Sequence, residues 1–326
     1  MQPNIKNSLK FFLMATLGIC FPFIASAVSG QDYPNKPITI YCGFDPGATT
    51  DLTARALARE ASKELNTPVV VENKPGAGSG VAATLLASKK ADGYTLGVVS
   101  STALVTAPNI MKMQYDSFKD FTYIFSYGIM GCAICVLKDS PFKTLEQLLE
   151  YARKNPERLS YGSTAMAPIH LAVDYLARQA KVKFKFVPYK GSTPAATALL
   201  GGHIDFMSSA GIHRIYVKQG TFRMLAVINS EARHPENPDV PTITELGYKD
   251  IPPPIYMFIG PKDLPEPILR KLDMAFRKAV YSPDFQDVMK NLGVPFVFKD
   301  KRQLERDLFE EYQFFGKFLK DSGFIK

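Results

Sequence analysis

Short apolar runs alternate with stretches of helical period along most of the 326 residues. This is the pattern of α/β units built around sheets of mostly parallel strands. Runs at 38–42, 69–71, 94–99, 122–125, 133–138, 184–188, 204–207, 224–228 and 256–259 predict strands, most of them followed by a helix. After the first run, Ala54, Leu57, Ala58, Ala61 and Leu65 recur on one helical face, and Asp51 stands four residues before Arg55 as a helix-start ion pair. Leu304, Leu308, Tyr312, Phe315 and Leu319 make the packing stripe of a C-terminal helix over 301–321. Thr144-Leu145-Glu146-Gln147 reads as a capping box, and Thr193-Pro194 as an N-cap followed by proline at the first helical position. The stretch 230–254, rich in proline, asparagine and charge, reads as a surface connection with one short helix near 242–246.

Two strand ends run into glycine-rich turns ahead of a helix: Pro46-Gly47-Ala48-Thr49-Thr50 and Pro75-Gly76-Ala77-Gly78-Ser79-Gly80. Such a turn leaves the first N–H groups of the helix without intrahelical partners, and glycine lets a ligand come close to the backbone. Helix starts of this kind attract anions. Ligands of open α/β sheets sit beyond the carboxyl ends of the strands, which singles out 44–51, 76–80, 100–102, 162–170, 189–193 and 208–211. These segments offer glycines, hydroxyls and backbone N–H groups but no cluster of titratable side chains, an inventory that fits binding better than bond making.

Other chemistries find little support. His170, His203, His213 and His234 are widely separated, with no H-x-x-x-H pair and no metal-ligand spacing to cysteine. No Gly-x-Ser-x-Gly elbow is present. His170 is expected to cap or pack near the start of its helix, and Asp205 to fix a turn. Gly78-Ser79-Gly80-Val81-Ala82-Ala83 has the letters of a dinucleotide loop, yet Ser100 and Ser101 stand where its ribose-binding acid belongs, and no G-K-[ST] follows a glycine loop. No cofactor and no metal are expected.

Lys6, Lys10, the apolar 11–24 and Ala25-Ser26-Ala27 read as a secretory signal over 1–27. That apolar run is shorter than the roughly 20 residues that span a bilayer. Cleavage there leaves 299 residues, enough for two domains, and lowers the formal net charge from +8 to +6. The basic residues are spread along helices without interleaved aromatics, which argues against a nucleic-acid partner. Cys42, Cys132 and Cys135 remain, an odd number. Cys132 and Cys135 sit three apart in a strand-like run and so face opposite sides, as packed thiols rather than a redox pair.

Taken in order, these loops resemble the Bug family, the periplasmic solute receptors of tripartite tricarboxylate transporters. The likeness runs through Tyr33-Pro34-x-Lys36-Pro37-Ile38, Pro46-Gly47-x-x-x-Asp51 and Val71-Glu72-Asn73-Lys74-Pro75-Gly76-Ala77-Gly78. It continues through Asp92-Gly93-Tyr94-Thr95-Leu96, Tyr161-Gly162-Ser163, Val187-Pro188-Tyr189-Lys190-Gly191, Leu200-Gly201-Gly202-x-x-Asp205 and Pro238-Asp239-Val240-Pro241-Thr242. The resemblance implies two α/β lobes of the type II periplasmic-binding class joined by two crossing strands, with 28–131 and 252–326 in one lobe and 132–251 in the other. It also implies a small, carboxylate-bearing ligand in the cleft, presented to membrane permease subunits, and no catalysis. Phe44, Gly47, Ala48, Thr49, Thr50, Gly78, Ser79, Ser101 and Thr102 are expected on one wall, and Ser163, Thr164, Met166, Tyr189 and Ser192 on the other. Gly43, Ala48 and Ser79 depart from the family's usual proline and glycines, and Asp45 adds a negative charge beside the anion site. Met166 and Pro168 make the second wall more apolar, which points toward an aromatic or apolar-tailed acid. The rival readings are a sensor docking on a signalling receptor, and an enzyme on a related scaffold.

Overall fold

Strand β1 (Ile38–Cys42) buries Ile38, Ile40 and Cys42 completely and leaves Thr39 and Tyr41 partly exposed, the period-two alternation of a pleated strand. The computed structural model describes residues 33–165, 167–230, 233–234 and 236–325. The expected signal segment at 1–27 and Met166 lie outside the described residues. From β1 the chain continues through α1 (Thr49–Leu65), β2 (Val69–Asn73), α2 (Gly80–Ala87), β3 (Thr95–Ser100), α3 (Ala107–Ile110) and β4 (Phe121–Ile129). A second series follows: β5 (Cys132–Leu137), α4 (Leu145–Lys154), β6 (Ser160–Thr164), α5 (Pro168–Ala180), β7 (Lys185–Tyr189), α6 (Ser192–Leu200), β8 (Phe206–Ala210), α7 (His213–Lys218) and β9 (Phe222–Ile228). The chain then returns to β10 (Ile255–Pro261), α8 (Glu266–Val280), α9 (Pro283–Asn291), β11 (Phe296–Asp300) and α10 (Lys301–Asp321).

These strands form two sheets flanked by helices, one in each lobe. The first has the order β11-β4-β10-β3-β1-β2 and the second β7-β6-β8-β5-β9. The chain passes from the first to the second across Met130 and Gly131 and comes back through 229–254. The two crossings run side by side, with the Met130 N–H donating to Pro254 O at 2.8 Å. Pairing is less parallel than the alternation of elements predicts. β1 runs parallel to β2 and β3, and β6 to β7 and β8, whereas every pair involving β5, β10 or β11 is antiparallel. The antiparallel members are the strands at or beyond the crossings, and hydrophobic period carries no information on strand direction.

One apolar core runs through both lobes, and a smaller one lies under the other face of the second sheet. Cys132 belongs to the first and Cys135 to the second, on opposite faces as their spacing requires. Cys42, Cys132 and Cys135 are free and buried. Burial pushes the Cys42 thiol up to about 12 and the thiols of Cys132 and Cys135 further still, so none is a nucleophile at neutral pH.

Several local expectations need correction. Residues 242–246 form turns rather than a helix, and Thr242 is fully buried where it bridges to Val227 of β9. Thr193 is not an N-cap: α6 starts two residues earlier than expected, at Ser192, with Gly191 as its cap. Strands β6 and β11 escaped prediction because Ser160-Tyr161-Gly162-Ser163-Thr164 is poor in apolar residues and β11 is a partly exposed edge. The capping box at Thr144 is present with a shifted partner. Thr144 Oγ1 accepts the Gln147 N–H at 3.3 Å, while the Gln147 amide oxygen takes the N–H of Lys143 at 2.7 Å instead of that of Thr144.

Candidate functional site

The first glycine turn is locked from behind by a buried carboxylate. Asp51, 2 % exposed, accepts the Gly47 N–H at 2.9 Å, the Asn73 amide at 2.7 Å and the Arg55 guanidinium at 3.0 Å. Burial alone would raise its pKa, but these donors together hold it below the usual aspartate value. Ala48 is the extended N-cap residue of α1 and supplies no side-chain acceptor; the first helical bond runs from the Leu52 N–H to Ala48 O at 3.0 Å. The N–H groups of Thr49, Thr50 and Asp51 precede that bond and stay open.

The second glycine turn behaves otherwise. Residues Ala77–Ser79 coil into a 3-10 turn, so that Gly80 and Val81 donate to Ala77 O and Gly76 O and the start of α2 spends its donors internally. Ser79 adopts a positive φ of 82°. It is held there by accepting the Ser100 N–H on Oγ at 3.1 Å.

Both turns border a cavity of about 510 Å³ between the lobes. Its first wall carries Phe44, Ala48, Thr49, Thr50, Gly78, Ser79 and Thr102; Thr164, Ala167, Pro168, Ile169, Ser192 and Pro194 face them from the second lobe. Met130, Pro254 and Tyr256, from the two crossings and β10, also line it. Asp45 and Lys190 are its only charged members among the described residues, and both are exposed. The lobes touch beside the cavity, where a Cβ added to Gly211 would lie 2.6 Å from Thr49 Oγ1.

Nine of the sequence-predicted residues thus meet around one space: Phe44, Ala48, Thr49, Thr50, Gly78, Ser79, Thr102, Thr164 and Ser192. Four do not line it. Gly47 turns its N–H back to Asp51, and Ser101 Oγ is occupied by the Ile255 N–H at 3.1 Å. Ser163 is fully buried, accepting from Ser208 Oγ at 2.7 Å, and the Tyr189 ring packs on Gly162. Sequence reasoning missed Met130, Pro254 and Tyr256, which come together only because the two crossings are adjacent.

The titratable groups have structural work elsewhere. His170 sits 3.2 Å from Asp174 and stacks on Phe186, and Asp205 accepts both the N–H and the hydroxyl of Ser160. His213 is fully buried, which lowers its pKa well below the usual histidine value and keeps it neutral. Among the described residues no group of three or more His, Cys, Asp or Glu could hold a metal ion.

Two α/β lobes with an uncapped helix start on the wall of the cavity between them have the form of a solute-binding receptor. Residues 53–324 match the family model described as the tripartite tricarboxylate transporter family receptor, and the chain belongs to that family of periplasmic binding proteins. The protein in the gbd 5′ region of Cupriavidus necator is 34 % identical over 290 residues, 89 % of this chain and 88 % of its own. BugT of Bordetella pertussis is 29 % identical over 95 % of this chain and 97 % of its own. Among solved structures, the periplasmic binding protein BugD superposes with a TM-score of 0.82 at 30 % identity, covering 89 % of this chain and 99 % of BugD. A Rhodopseudomonas palustris protein solved with adipate has a TM-score of 0.83 at 26 % identity, over 90 % of this chain and 99 % of its own. MatC of the same organism, solved with malate, has 0.77 at 26 %, over 87 % and 99 %.

Proposed function

We propose that this chain captures a small organic acid in the interlobe cavity and delivers it to the permease subunits of a tripartite transporter, after export through a signal cleaved near residue 27. In this reading 28–131 with 252–326 and 132–251 are the two lobes, and closure of one on the other holds the ligand. The observation that carries the proposal is the open start of α1, where Thr49 and Thr50 line the cavity ahead of the first helical hydrogen bond. Helix-start donors bind a carboxylate without a counter-charge. Thr49, Thr50 and Thr102 add hydroxyls beside them, and Phe44 and Gly78 shape the wall. The bound malate and adipate of two solved relatives support the same ligand class. A thermal-shift screen of organic acids against their amides tests it, because a ligand that binds only the folded form raises the melting temperature. The acids are expected to raise it and the amides to leave it unchanged; amides active where acids are silent would refute the carboxylate.

A further inference from the structure

We infer that Arg214 is a positioning residue for the site, a guanidinium of the second lobe that pins the first lobe against it in the closed arrangement; this rests on the reading of lobe closure above. Arg214 belongs to the first turn of α7, yet its Nη1 donates to Leu292 O in the first lobe. Leu292 is the C-cap residue of α9, where carbonyls lack helical partners and a partial negative charge gathers, so a cation is favoured there. The guanidinium reaches it past the first crossing, through space left by two glycines. A Cβ added to Gly131 would lie 2.5 Å from Nη2, and one added to Gly293 would collide with Nη1.

Arg214 is 7 % exposed, and its Nε and Nη2 have no hydrogen-bond partner among the described residues. The exposed carboxylate of Glu236 attracts it from a distance. A buried charge so incompletely paired adds little to stability. Its effect is on position, because the segment it anchors carries part of the cavity wall. The Gly211 N–H donates to Gly131 O at 3.1 Å, the Arg214 N–H donates to Gly211 O at 3.1 Å, and Ile212 between them lines the cavity. Gly211 also meets Thr49 at the start of α1. The guanidinium thus ties the 211–214 turn to α9 of the first lobe while Gly211 touches α1, and release of the one contact loosens the other.

Pulsed-EPR distances between spin labels at Glu72→Cys on β2 and Thr197→Cys on α6, one exposed site in each lobe, test this in the ligand-free mature chain. Cys42, Cys132 and Cys135 are buried and take no label. The parent chain is expected to give mainly the separation of this structure, and Arg214→Met to raise the ratio of open to closed at least about tenfold. Arg214→Lys keeps a cation for Leu292 O and should restore most of the difference. The melting temperature of Arg214→Met should hold or rise, since an apolar side chain replaces a buried charge. The same distribution in parent and Arg214→Met overturns the inference; two separations in that shared distribution leave the closure reading standing. One fixed separation in all three chains, whether or not the acids that raise the melting temperature are present, overturns both.

Discussion

Asp51 shows how one side chain turns a sequence into a binding surface. It is the expected partner of Arg55, but its buried oxygens also take the Gly47 N–H and the Asn73 amide, so the same group starts the helix and shapes the loop. Asp51→Asn is expected to cost about 1–3 kcal/mol in urea unfolding, since a buried donor is left facing a donor. Its ligand affinity should fall with it; a variant of unchanged stability would show that the loop is held by something else. A second residue sets an acid limit. His213 and His234 are held neutral by burial, with His234 lowered to about 4, so the folded chain binds fewer protons than the unfolded one below about 6.5. The stability they contribute is complete above that pH and is lost as pH falls toward the folded values. In His213→Leu the drop in urea midpoint between pH 7 and pH 5 is expected to be smaller than in the parent chain. An equal drop in both would remove His213 as the cause.

Three helices away from the cavity start on a side-chain cap, α4 on Thr144, α9 on Ser282 and α10 on Asp300, whereas α8, also away from it, starts on Pro265 with none. Those opening on it, α1, α5 and α6, have no side-chain cap. Removing an outer cap, as in Ser282→Ala, is expected to cost about 1 kcal/mol of stability and to leave ligand affinity unchanged. A matching loss of affinity would mean that the site depends on the whole lobe and not on its own loops. Much of this was legible in the chain. The stripe from Leu304 to Leu319 marks α10 at its observed limits, and the apolar run at 38–42 is β1, because both depend on local period alone. Thr193 failed as a cap because the helix begins two residues earlier, with Gly191 as its cap. Ser101 and Ser163 do not line the cavity, and partners distant in sequence, Ile255 and Ser208, engage their hydroxyls.

Function at the scale of the molecule depends on the two lobes approaching without collision. Gly211, at φ 89°, is where the second lobe meets Thr49 of the first. A methyl group there would intrude on the contact. Gly220 has a similar φ of 72° but nothing within 4 Å of an added Cβ, so Gly220→Ala carries the backbone strain alone. Gly211→Ala is therefore expected to weaken ligand binding at least about tenfold, or 1.4 kcal/mol, beyond Gly220→Ala by titration calorimetry. Equal affinities would place the closing surface elsewhere. Closure, in turn, has value only if the ligand's carboxylate rests on the open start of α1. Calorimetric titration of Ala48→Asp with a monocarboxylate such as benzoate tests this most directly, because the new side chain would take the N–H groups that the ligand needs and repel its charge. The free protein should keep or raise its melting temperature while affinity falls at least about tenfold; affinity equal to that of the parent chain would contradict the account.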